Sequence, residues 1–493
     1  MTVFRDYTYL GMTQSLCPDC LNVVPAKIVA RGQRVFFRKT CPVHGTREDF
    51  VCSDVRWFDR TGYSLPGKVP RLFGAEADRG CPYDCGLCSE HEQHTCIGLL
   101  EITSGCNLEC PMCFAVSGPG GTHLSVDDCK AAIDRLVEVE GQPEILQLSG
   151  GEPTIHPDFH EIHEYACRQP IDIVMINTNG IRLARDRKFL DRVAGQKHRT
   201  EIYLQFDGFS DASSVVLRGE SLLDTKLKAI ERLGAAGLNT ILVCTVQPGI
   251  NDHEIGDIVA FGMERPWITG VSFQPAVYSG RCVLPEELDQ RITFPDIIQR
   301  LEQQSDGLWR ENDFAPLPCA HPNAHTLAYA IRGDSSFLPL ARFVDLENHL
   351  DLLAGRITFN RQRAQELISE YLSRQACGQG GCSDDGGSVF PFTSEPARSS
   401  AADLTPEQRQ LAERFFVQAM SQQLQPADMF RITTTTFMDA YNFDVRQLMK
   451  SCVHFLLPGG HVIPFSAYNV LYRTGKVPLP KLRAAELIDQ HPS

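Results

Sequence analysis

The segment Cys106-Asn-Leu-Glu-Cys110-Pro-Met-Cys113-Phe114 is the most informative part of this sequence. It follows the apolar run Leu99-Leu-Glu-Ile-Thr103 through a Ser-Gly pair, so its cysteines stand at the carboxyl end of a predicted strand. Three thiolates at this spacing can hold three corners of a cubane iron–sulfur cluster from one loop. The next cysteine, Cys129, lies in a predicted helix. The sequence therefore predicts a cluster whose fourth iron is open to a small molecule.

Strand-like and helix-like segments alternate after this first strand. Apolar runs occur at 97–103, 145–149, 171–177, 202–206, 241–246 and 271–274, with helical patterns such as 126–139, 222–233 and 255–263 between them. Such alternation predicts an α/β fold with a parallel sheet and right-handed crossovers. Six units are fewer than the eight of a closed barrel, so we expect a partial (β/α)6 TIM-like barrel over residues 97–290.

Polar residues follow several of these strands, at the end where parallel sheets bind ligands. The second strand runs into Ser149-Gly150-Gly151-Glu152-Pro153, where glycines permit close approach and Glu152 can accept a hydrogen bond from an amino group. The later strand ends supply Asn179, Gln205, Asp207 and Gln274. Any one of these segments resembles an ordinary turn. Together they predict a site for a zwitterionic amino acid joined to a nucleoside.

A second cysteine triplet precedes the barrel. Cys81-Pro-Tyr-Asp-Cys85-Gly-Leu-Cys88 has the same spacing and is followed by Cys96 before the first strand. Four cysteines can close a cluster, so residues 76–96 are predicted to hold an auxiliary [4Fe-4S] cluster that stores or relays electrons. A purely structural cluster or a zinc ion is the alternative.

Residues 1–75 have the pattern of a small metal ribbon. Cys17-Pro-Asp-Cys20 is followed about twenty residues later by Cys41-Pro-Val-His44, with alternating strand-like segments between them. Two such turns can form a tetrahedral site for zinc or a rubredoxin-like iron. Cys52 is the alternative fourth ligand if His44 stays free. A structural metal and a redox iron both remain open.

Composition narrows the class of protein. The chain has 493 residues, a formal net charge of −14 and 19 cysteines. The negative charge argues against nucleic acid as the main partner. The N-terminus has no signal-peptide pattern, and no apolar run approaches the ~18 residues of a membrane span. We expect a cytoplasmic protein, in which clustered cysteines are metal ligands and the isolated Cys129, Cys167 and Cys244 are core thiols.

Residues 291–493 are predicted to form a mixed C-terminal domain. Helical patterns cover 346–374 and 406–422. A glycine-rich stretch containing Cys377 and Cys382 lies between them, and Cys452-Val-His454 stands near the end. This region is a candidate for a second auxiliary cluster.

The Cys106–Phe114 motif, the Ser149–Pro153 loop and the strand order resemble those of the radical S-adenosylmethionine (SAM) superfamily. The resemblance implies that SAM chelates the open iron held by Cys106, Cys110 and Cys113, and that Phe114 lies near the adenine. It also implies that an electron from the reduced cluster cleaves SAM to a 5′-deoxyadenosyl radical, which abstracts hydrogen from an unactivated carbon. An electron donor such as ferredoxin or flavodoxin is then required.

A narrower resemblance connects the chain with archaeal tetraether lipid synthases and their relatives, some described as pterin methylases. It rests on the ribbon and auxiliary motifs, Tyr203-Leu-Gln-Phe-Asp-Gly208, Arg218-Gly219, Pro318-Cys319-Ala-His321-Pro322, Cys452-Val-His454 and Ile463-Pro-Phe-Ser-Ala-Tyr-Asn469. Ala324 and Ser466 stand where the family pattern often has cysteine. A C-terminal cluster would keep Cys319 and Cys452, with Cys377 or Cys382 as replacements.

The resemblance implies carbon–carbon bond formation or modification at unactivated sp3 carbons, with a lipid alkyl chain as the expected substrate. An enzyme of that kind would associate transiently with the membrane surface. The alternative is radical methylation of a pterin or similar heterocycle. A different class, an iron–sulfur electron carrier without turnover, is disfavoured because a carrier has no use for the Ser149–Glu152 loop.

Overall fold

The computed structural model describes residues 5–334, 336–353, 357, 361–378 and 404–483, with side chains in the helix that ends at Gly378 described up to residue 375. The first unit is a four-stranded antiparallel sheet in the order β1-β2-β3-β4. Its strands are β1 (Thr8–Leu16), β2 (Val23–Arg31), β3 (Arg34–Cys41) and β4 (Gly45–Cys52). Side chains alternate between buried and exposed along β2 and β3, as in a sheet with one face in a core.

A buried lysine joins this ribbon to the C-terminal part of the chain. Lys39 Nζ lies 3.0 Å from Asp49 Oδ2 and donates to the carbonyl oxygen of Tyr441 at 2.6 Å. Burial lowers the pKa of Lys39, and the Asp49 carboxylate opposes that shift. Because both charges are almost fully buried, they tolerate burial only as a hydrogen-bonded pair.

The central sheet contains all six predicted parallel strands, each paired with the next along the chain. They are β5 (Ile97–Thr103), β6 (Ile145–Gly150), β7 (Ile173–Thr178), β8 (Thr200–Gln205), β9 (Asn239–Val246) and β10 (Ile268–Pro275). These strands are nearly continuous apolar runs because helices cover the outer face of the sheet.

Eight helices accompany these strands and the segment that follows them. They are α1 (Val126–Glu140), α2 (Phe159–Arg168), α3 (Ile181–Arg185), α4 (Arg187–Ala194), α5 (Asp211–Arg218), α6 (Leu223–Ala236), α7 (Ile255–Met263) and α8 (Phe294–Gln304). In α1, the Ser125 side chain accepts from Asp128 N at 3.1 Å, and Gly141 ends the helix at φ 74°.

The C-terminal region completes the same sheet instead of standing apart from it. Its strands are β11 (Ala315–Pro316), β12 (His325–Arg332), β13 (Phe337–Pro339), β14 (Met429–Thr435), β15 (Val453–Leu456) and β16 (Val462–Pro464). Its helices are α9 (Arg361–Gly378), α10 (Pro406–Met420), α11 (Val445–Met449) and α12 (Phe465–Ala467). β14 pairs in parallel with β10, and β15 in parallel with β5, so eight parallel strands run side by side.

The predicted fold class is confirmed: an α/β partial barrel preceded by an antiparallel metal ribbon and followed by a mixed region. The isolated Cys129, Cys167 and Cys244 are buried, as predicted for core thiols. The predicted helix over 346–374 is shorter, since a 3-10 stretch (Glu347–Leu353) precedes α9. Across the described ranges, none of the helices has the length and apolar character to cross a membrane.

Candidate active site

The cysteine loop after β5 is held in place by backbone bonds from two distant segments. Cys106 N donates to Gly118 O at 2.9 Å, and Cys113 exchanges two backbone hydrogen bonds with Arg281, at 2.7 and 2.9 Å. The Arg281 side chain also donates from Nε to Cys110 O at 2.7 Å. The loop is therefore fixed at the carboxyl ends of the strands, where the sequence predicted it.

The three thiols of this loop interact with one another and fit the predicted cluster. Burial raises the pKa of Cys106 to about 12, and the neighbouring Cys110 and Cys113 add to that shift. Iron–sulfur clusters take thiolate ligands, so bound iron would keep all three deprotonated. Cys129 lies in α1 and packs into the hydrophobic core, so it is not placed to act as a ligand of this cluster. Three cysteines in one loop leave one corner of a cubane for a small molecule.

Gly150 and Gly151 are required by the close approach of neighbouring protein backbone. Gly150 has φ +138°, and a Cβ there would overlap Thr103 O. A Cβ at Gly151 would overlap Gly105 O, beside the first cluster cysteine. The loop after β6 is thus packed directly against the cysteine loop after β5, which fixes their relative position.

Glu152 organises the neighbouring strand ends. Its Oε1 accepts from Thr154 N at 3.1 Å, Thr154 Oγ1 at 2.5 Å and Thr178 Oγ1 at 2.7 Å, and its Oε2 accepts from Asn179 N at 2.7 Å. The residue is 1% exposed. Protein donors occupy both of its oxygens, and the predicted acceptance of a hydrogen bond from an amino group of a ligand stays a prediction.

Asp207 is likewise engaged by the protein. Arg218 donates to it from Nε and Nη2, both at 2.7 Å, and Thr245 N donates at 3.0 Å. Burial opposes the charge of Arg218, but Asp207 holds its pKa above the usual range. The guanidinium is also hydrogen-bonded to the thiol of Cys110. Arg218 therefore brings a fixed positive charge to the cluster loop.

A buried lysine, Lys226, is hydrogen-bonded to Gln205 at the end of β8. Lys226 Nζ donates to Gln205 Oε1 at 2.5 Å, to Gln205 O at 2.8 Å and to Asn179 O at 2.6 Å. Burial lowers the pKa of Lys226 to about 7, with Asp207 opposing that shift. Gln205 also donates from Nε2 to Asp207. This network ties the ends of β7 and β8 together.

The other predicted SAM-site residues lie at the ends of the strands or line the central cavity. Ser149 Oγ accepts from Asn177 Nδ2 at 3.2 Å, and Asn179 Nδ2 donates to Asn107 Oδ1, within the cysteine loop, at 2.7 Å. Phe114 contacts Phe465 edge to face with ring centroids 5.0 Å apart. Gln274 and Phe114 both line the central cavity. The predicted roles of these residues toward SAM remain predictions.

The ribbon brings its four predicted ligands together. Cys17, Cys20, Cys41 and His44 place their ligand atoms within 4.8 Å of one another, and His44 Nδ1 lies 3.5 Å from the sulfurs of Cys17 and Cys41. Backbone N–H groups at His44 and Val43 lower the pKa of Cys41 to about 6. Cys52, the alternative ligand, is buried elsewhere and donates to Asp54 O at 3.4 Å.

The second triplet and Cys96 are divided between two sites. The thiol of Cys85 is hydrogen-bonded to that of Cys81, with Cys88 close by. Cys96 was predicted to close this group, but its thiol is hydrogen-bonded to Cys319 and Cys452 instead. Of the predicted replacements, Cys382 and the side chain of Cys377 lie outside the described residues.

A cavity of about 150 Å³ lies in the barrel interior between the strands. Aliphatic side chains such as Ile97, Leu99 and Ile145 form much of its wall. Polar groups reach it from several strands: Gln147, Asn177, Tyr203, Ser272, Gln274, His325 and Arg431. Phe114, Phe437 and Phe465 also line it, and Phe437 and Phe465 stack with centroids 3.9 Å apart.

Sequence reasoning missed several residues of the site. Arg218 was part of a recognised motif but was assigned no role. No sequence pattern indicated Lys226, Arg281, His325 or Arg431. They lie on helices, loops or later strands, and only the fold brings them to the cysteine loop, to Gln205 or to the cavity. The Arg-Gly pair at the end of α5 was the one available clue, because a buried carboxylate in the preceding strand end needs a partner.

The comparisons with known proteins agree with this geometry. Residues 100–262 match the model of the radical SAM superfamily, and residues 9–53 match a zinc ribbon described as the HMPTM N-terminal domain. The 7,8-dihydro-6-hydroxymethylpterin dimethyltransferase of Methanocaldococcus jannaschii is 31% identical over 498 residues, which cover 94% of each chain.

Other similarities are confined to part of the chain. The mycofactocin maturase MftC of Mycobacterium tuberculosis is 32% identical over 149 residues, 30% of this chain and 36% of its own. The solved structure of Streptococcus suis SuiB has a TM-score of 0.36 and 16% identity, covering 43% of this chain and 46% of that chain.

The fold and the open three-cysteine site define a radical SAM iron–sulfur enzyme. Within that superfamily, the chain belongs to the family of the Methanocaldococcus pterin dimethyltransferase, to which it is similar over nearly its whole length. The cofactors implied by this family are a [4Fe-4S] cluster and SAM, and the zinc ribbon and the remaining cysteines are compatible with an auxiliary cluster or metal.

Proposed function

We propose that this protein is a radical SAM methyltransferase that modifies a pterin or a similar flat, polar heterocycle. The cluster, when bound, supplies the electron that cleaves SAM. The similarity over 94% of each chain to an enzyme named for pterin dimethylation supports this reading over the expected lipid substrate. A low-potential donor such as ferredoxin or flavodoxin would reduce the cluster.

The observation that carries the proposal is the amide of Gln147 on the cavity wall. Gln147 is buried, and its Nε2 has the thioether of Met175, at 3.5 Å, as a partner. Thioether sulfur is a weak acceptor. A buried amide facing a cavity is therefore suited to a ligand that offers both donors and acceptors, as the pyrimidine edge of a pterin does.

Two further features fit a planar heterocycle. Asn177 and Gln274 add amide groups on neighbouring walls, and Arg431 supplies a cation whose Nη2 lies 3.1 Å from Glu201 Oε2. The aromatic rings of Phe114 and Phe437 offer faces on which a flat ring can stack. The protein's own residues would thus bind and orient the substrate and exclude water.

The second candidate is a lipid alkyl chain. The aliphatic wall of the cavity favours it, since Ile97, Leu99, Ile145 and Ile241 have no polar group to offer. A lipid would leave the amide of Gln147 without a better partner than Met175. The two candidates therefore predict opposite effects of removing that amide.

The test is an anaerobic assay of reduced protein with SAM and 7,8-dihydro-6-hydroxymethylpterin, beside a parallel assay with an isoprenoid glycerol lipid. Mass spectrometry should detect a methylated pterin, and Cys110→Ala should abolish both this product and 5′-deoxyadenosine. Gln147→Met, of similar volume, should raise the pterin KM roughly 5- to 150-fold, equivalent to ~1–3 kcal/mol for a lost buried hydrogen bond. Its SAM cleavage should persist.

Coupled lipid without methylated pterin would overturn the proposal. So would a Gln147→Met variant with an unchanged pterin KM. A protein that cleaves SAM yet modifies neither substrate would also reject the pterin assignment, while leaving the radical SAM class intact.

A further inference from the structure

Cys96 and Cys452 stand side by side because of the register of two parallel strands. Cys96 directly precedes β5 and Cys452 directly precedes β15, and Val453 of β15 pairs with Ile97 of β5. The N–H groups of Cys96 and Ile97 both donate to Cys452 O at 3.0 Å. The fold therefore holds two thiols together at the amino end of the barrel.

A third thiol reaches the same point from the loop between β11 and β12. Cys319 is hydrogen-bonded through its thiol to Cys96, which also contacts the thiol of Cys452. The three residues are 0%, 0% and 2% exposed for Cys96, Cys319 and Cys452. They come from chain segments more than a hundred residues apart, so their meeting is a product of the whole fold.

A buried histidine is directed at the sulfur of Cys96. His94 Nε2 lies 3.5 Å from the sulfur of Cys96, while His94 Nδ1 lies 2.9 Å from Glu140 Oε2. Glu140 also accepts from Thr95 N at 2.7 Å. A carboxylate that holds one ring nitrogen and points the other at a metal is the usual support of a metal-binding histidine. Ligand atoms of His94, Cys96 and Glu144 lie within 4.8 Å of one another.

These residues form a site separate from the other cysteine groups. Cys85 packs with Leu16 and Phe443, whereas Cys96 packs with Cys319 and Cys452 in a different part of the core. The SAM-site cysteines follow the carboxyl end of β5, whose seven residues span about 23 Å at ~3.3 Å each. Three thiols buried without metal would be inert core cysteines, but those do not require an oriented imidazole.

We propose that Cys96, Cys319, Cys452 and His94 ligate a metal centre at the amino end of the barrel, and that Cys96 is not a ligand of the Cys81–Cys85–Cys88 group. Thiolate and imidazole ligands suit an iron–sulfur cluster and a single zinc or iron ion alike. Cysteines at the positions of Ala324 and Ser466 are not needed, because Cys96 and His94 supply the third and fourth ligands.

The site borders the substrate cavity. Cys452 and the adjacent His325, whose side chain is hydrogen-bonded to the Cys452 thiol, both line it. Phe114, next to the SAM-site cysteines, lines the same cavity. A substrate would therefore lie between SAM and this metal centre. The inference concerns the protein's metal content and holds for either substrate class.

The experiment compares single alanine variants of the full-length, anaerobically purified protein. Iron, zinc and acid-labile sulfide are measured, together with low-temperature EPR of the dithionite-reduced protein. Cys96→Ala, Cys319→Ala and Cys452→Ala should lose the same metal and the same spectroscopic signal. That signal should persist in Cys81→Ala. Cys129→Ala, a buried thiol in the core beneath α1, is the matched control and should keep the parent metal content.

The metal lost identifies the occupant. Loss of about four irons with sulfide indicates a cubane, and loss of one ion without sulfide indicates a mononuclear centre. The proposal is overturned if Cys96→Ala removes the signal that Cys81→Ala removes, or if Cys319→Ala and Cys452→Ala keep the parent metal content.

Variants that fail to fold do not end the test. Cys96→Ser and His94→Gln preserve size and should shift the EPR line shape, or the metal affinity, of the centre that Cys319→Ala removes. A shift confined to the signal that depends on Cys81 would reject the assignment. Circular dichroism of each variant separates loss of metal from loss of fold.

Discussion

Both oxygens of the Asp207 carboxylate accept hydrogen bonds of 2.7 Å from Arg218, and the same guanidinium contacts the thiol of Cys110. The pair is buried, with side chains 12% and 4% exposed for Arg218 and Asp207. Removing the arginine would leave a buried carboxylate without its charge partner. Arg218 is therefore a positioning residue that couples the end of β8 to the cysteine loop.

Arg218→Met should destabilise the protein by about 3–5 kcal/mol, the usual penalty for an uncompensated buried charge. It should also weaken iron retention at the SAM site, because the cation beside Cys110 is lost. Anaerobic denaturant unfolding and iron analysis measure the two effects. Arg187→Met is the control, since Arg187 pairs with Asp191 at 3.8 Å on the surface and should lose at most ~1 kcal/mol. Equal losses in both variants would contradict the structural role of the buried pair.

Gly151→Ala should displace the cysteine loop. The added Cβ would overlap Gly105 O, and backbone cannot move aside as a side chain can. We expect loss of 5′-deoxyadenosine formation together with the SAM-site EPR signal, while the ribbon metal stays bound. Gly62→Ala is the matched control, because a Cβ there meets nothing within 4 Å. Full SAM cleavage by Gly151→Ala would show that the two loops can separate.

The sequence could predict the elements that repeat locally and the ligands that lie close together in the chain. The six strands of the barrel, the ribbon with Cys17 and His44, and the Cys106 loop all follow from such patterns. The partners of Cys96 could not be predicted, because Cys319 and Cys452 are brought to it by strand pairing across more than two hundred residues. The nearer Cys88 is the natural choice when only spacing is visible.

The same limit applies to the charged groups. Glu152 and Asp207 were recognisable as polar residues at strand ends, but their protein donors were not. Thr178 and Arg218 come from other segments, so hydrogen-bond satisfaction depends on tertiary structure. A motif thus located the site without distinguishing residues that touch a ligand from residues that hold the loops.

His163 should make the protein acid-sensitive. Burial lowers its pKa to about 4 from a usual value near 6.5, with His160 adding to the shift, and its Nε2 lies 2.8 Å from Thr200 Oγ1. Between these pH values the unfolded chain binds a proton that the folded protein excludes. His163 therefore makes its full contribution to the free energy of unfolding above pH ~6.5. That contribution is lost as the pH decreases toward ~4, which lowers the free energy of unfolding by about 3 kcal/mol.

His163→Gln should reduce the difference in unfolding free energy between pH 7 and pH 4 by about that amount. Urea unfolding at several pH values measures it. His198→Gln, at an exposed position, should keep the parent pH profile. An unchanged profile in His163→Gln would mean that this imidazole has the same pKa in the folded and unfolded states.

The ribbon ligands predict how metal and stability respond to cysteine removal. Cys20→Ser should release one metal ion, because Cys17, Cys20, Cys41 and His44 converge within 4.8 Å. Since a small metal domain folds largely through its metal, β1–β4 should become protease-sensitive while the barrel clusters persist. Elemental analysis and limited proteolysis measure this. Cys52→Ser should retain the ion, as its sulfur bonds Asp54 O instead. Metal loss in Cys52→Ser together with metal retention in His44→Ala would show that Cys52, and not His44, is the fourth ligand.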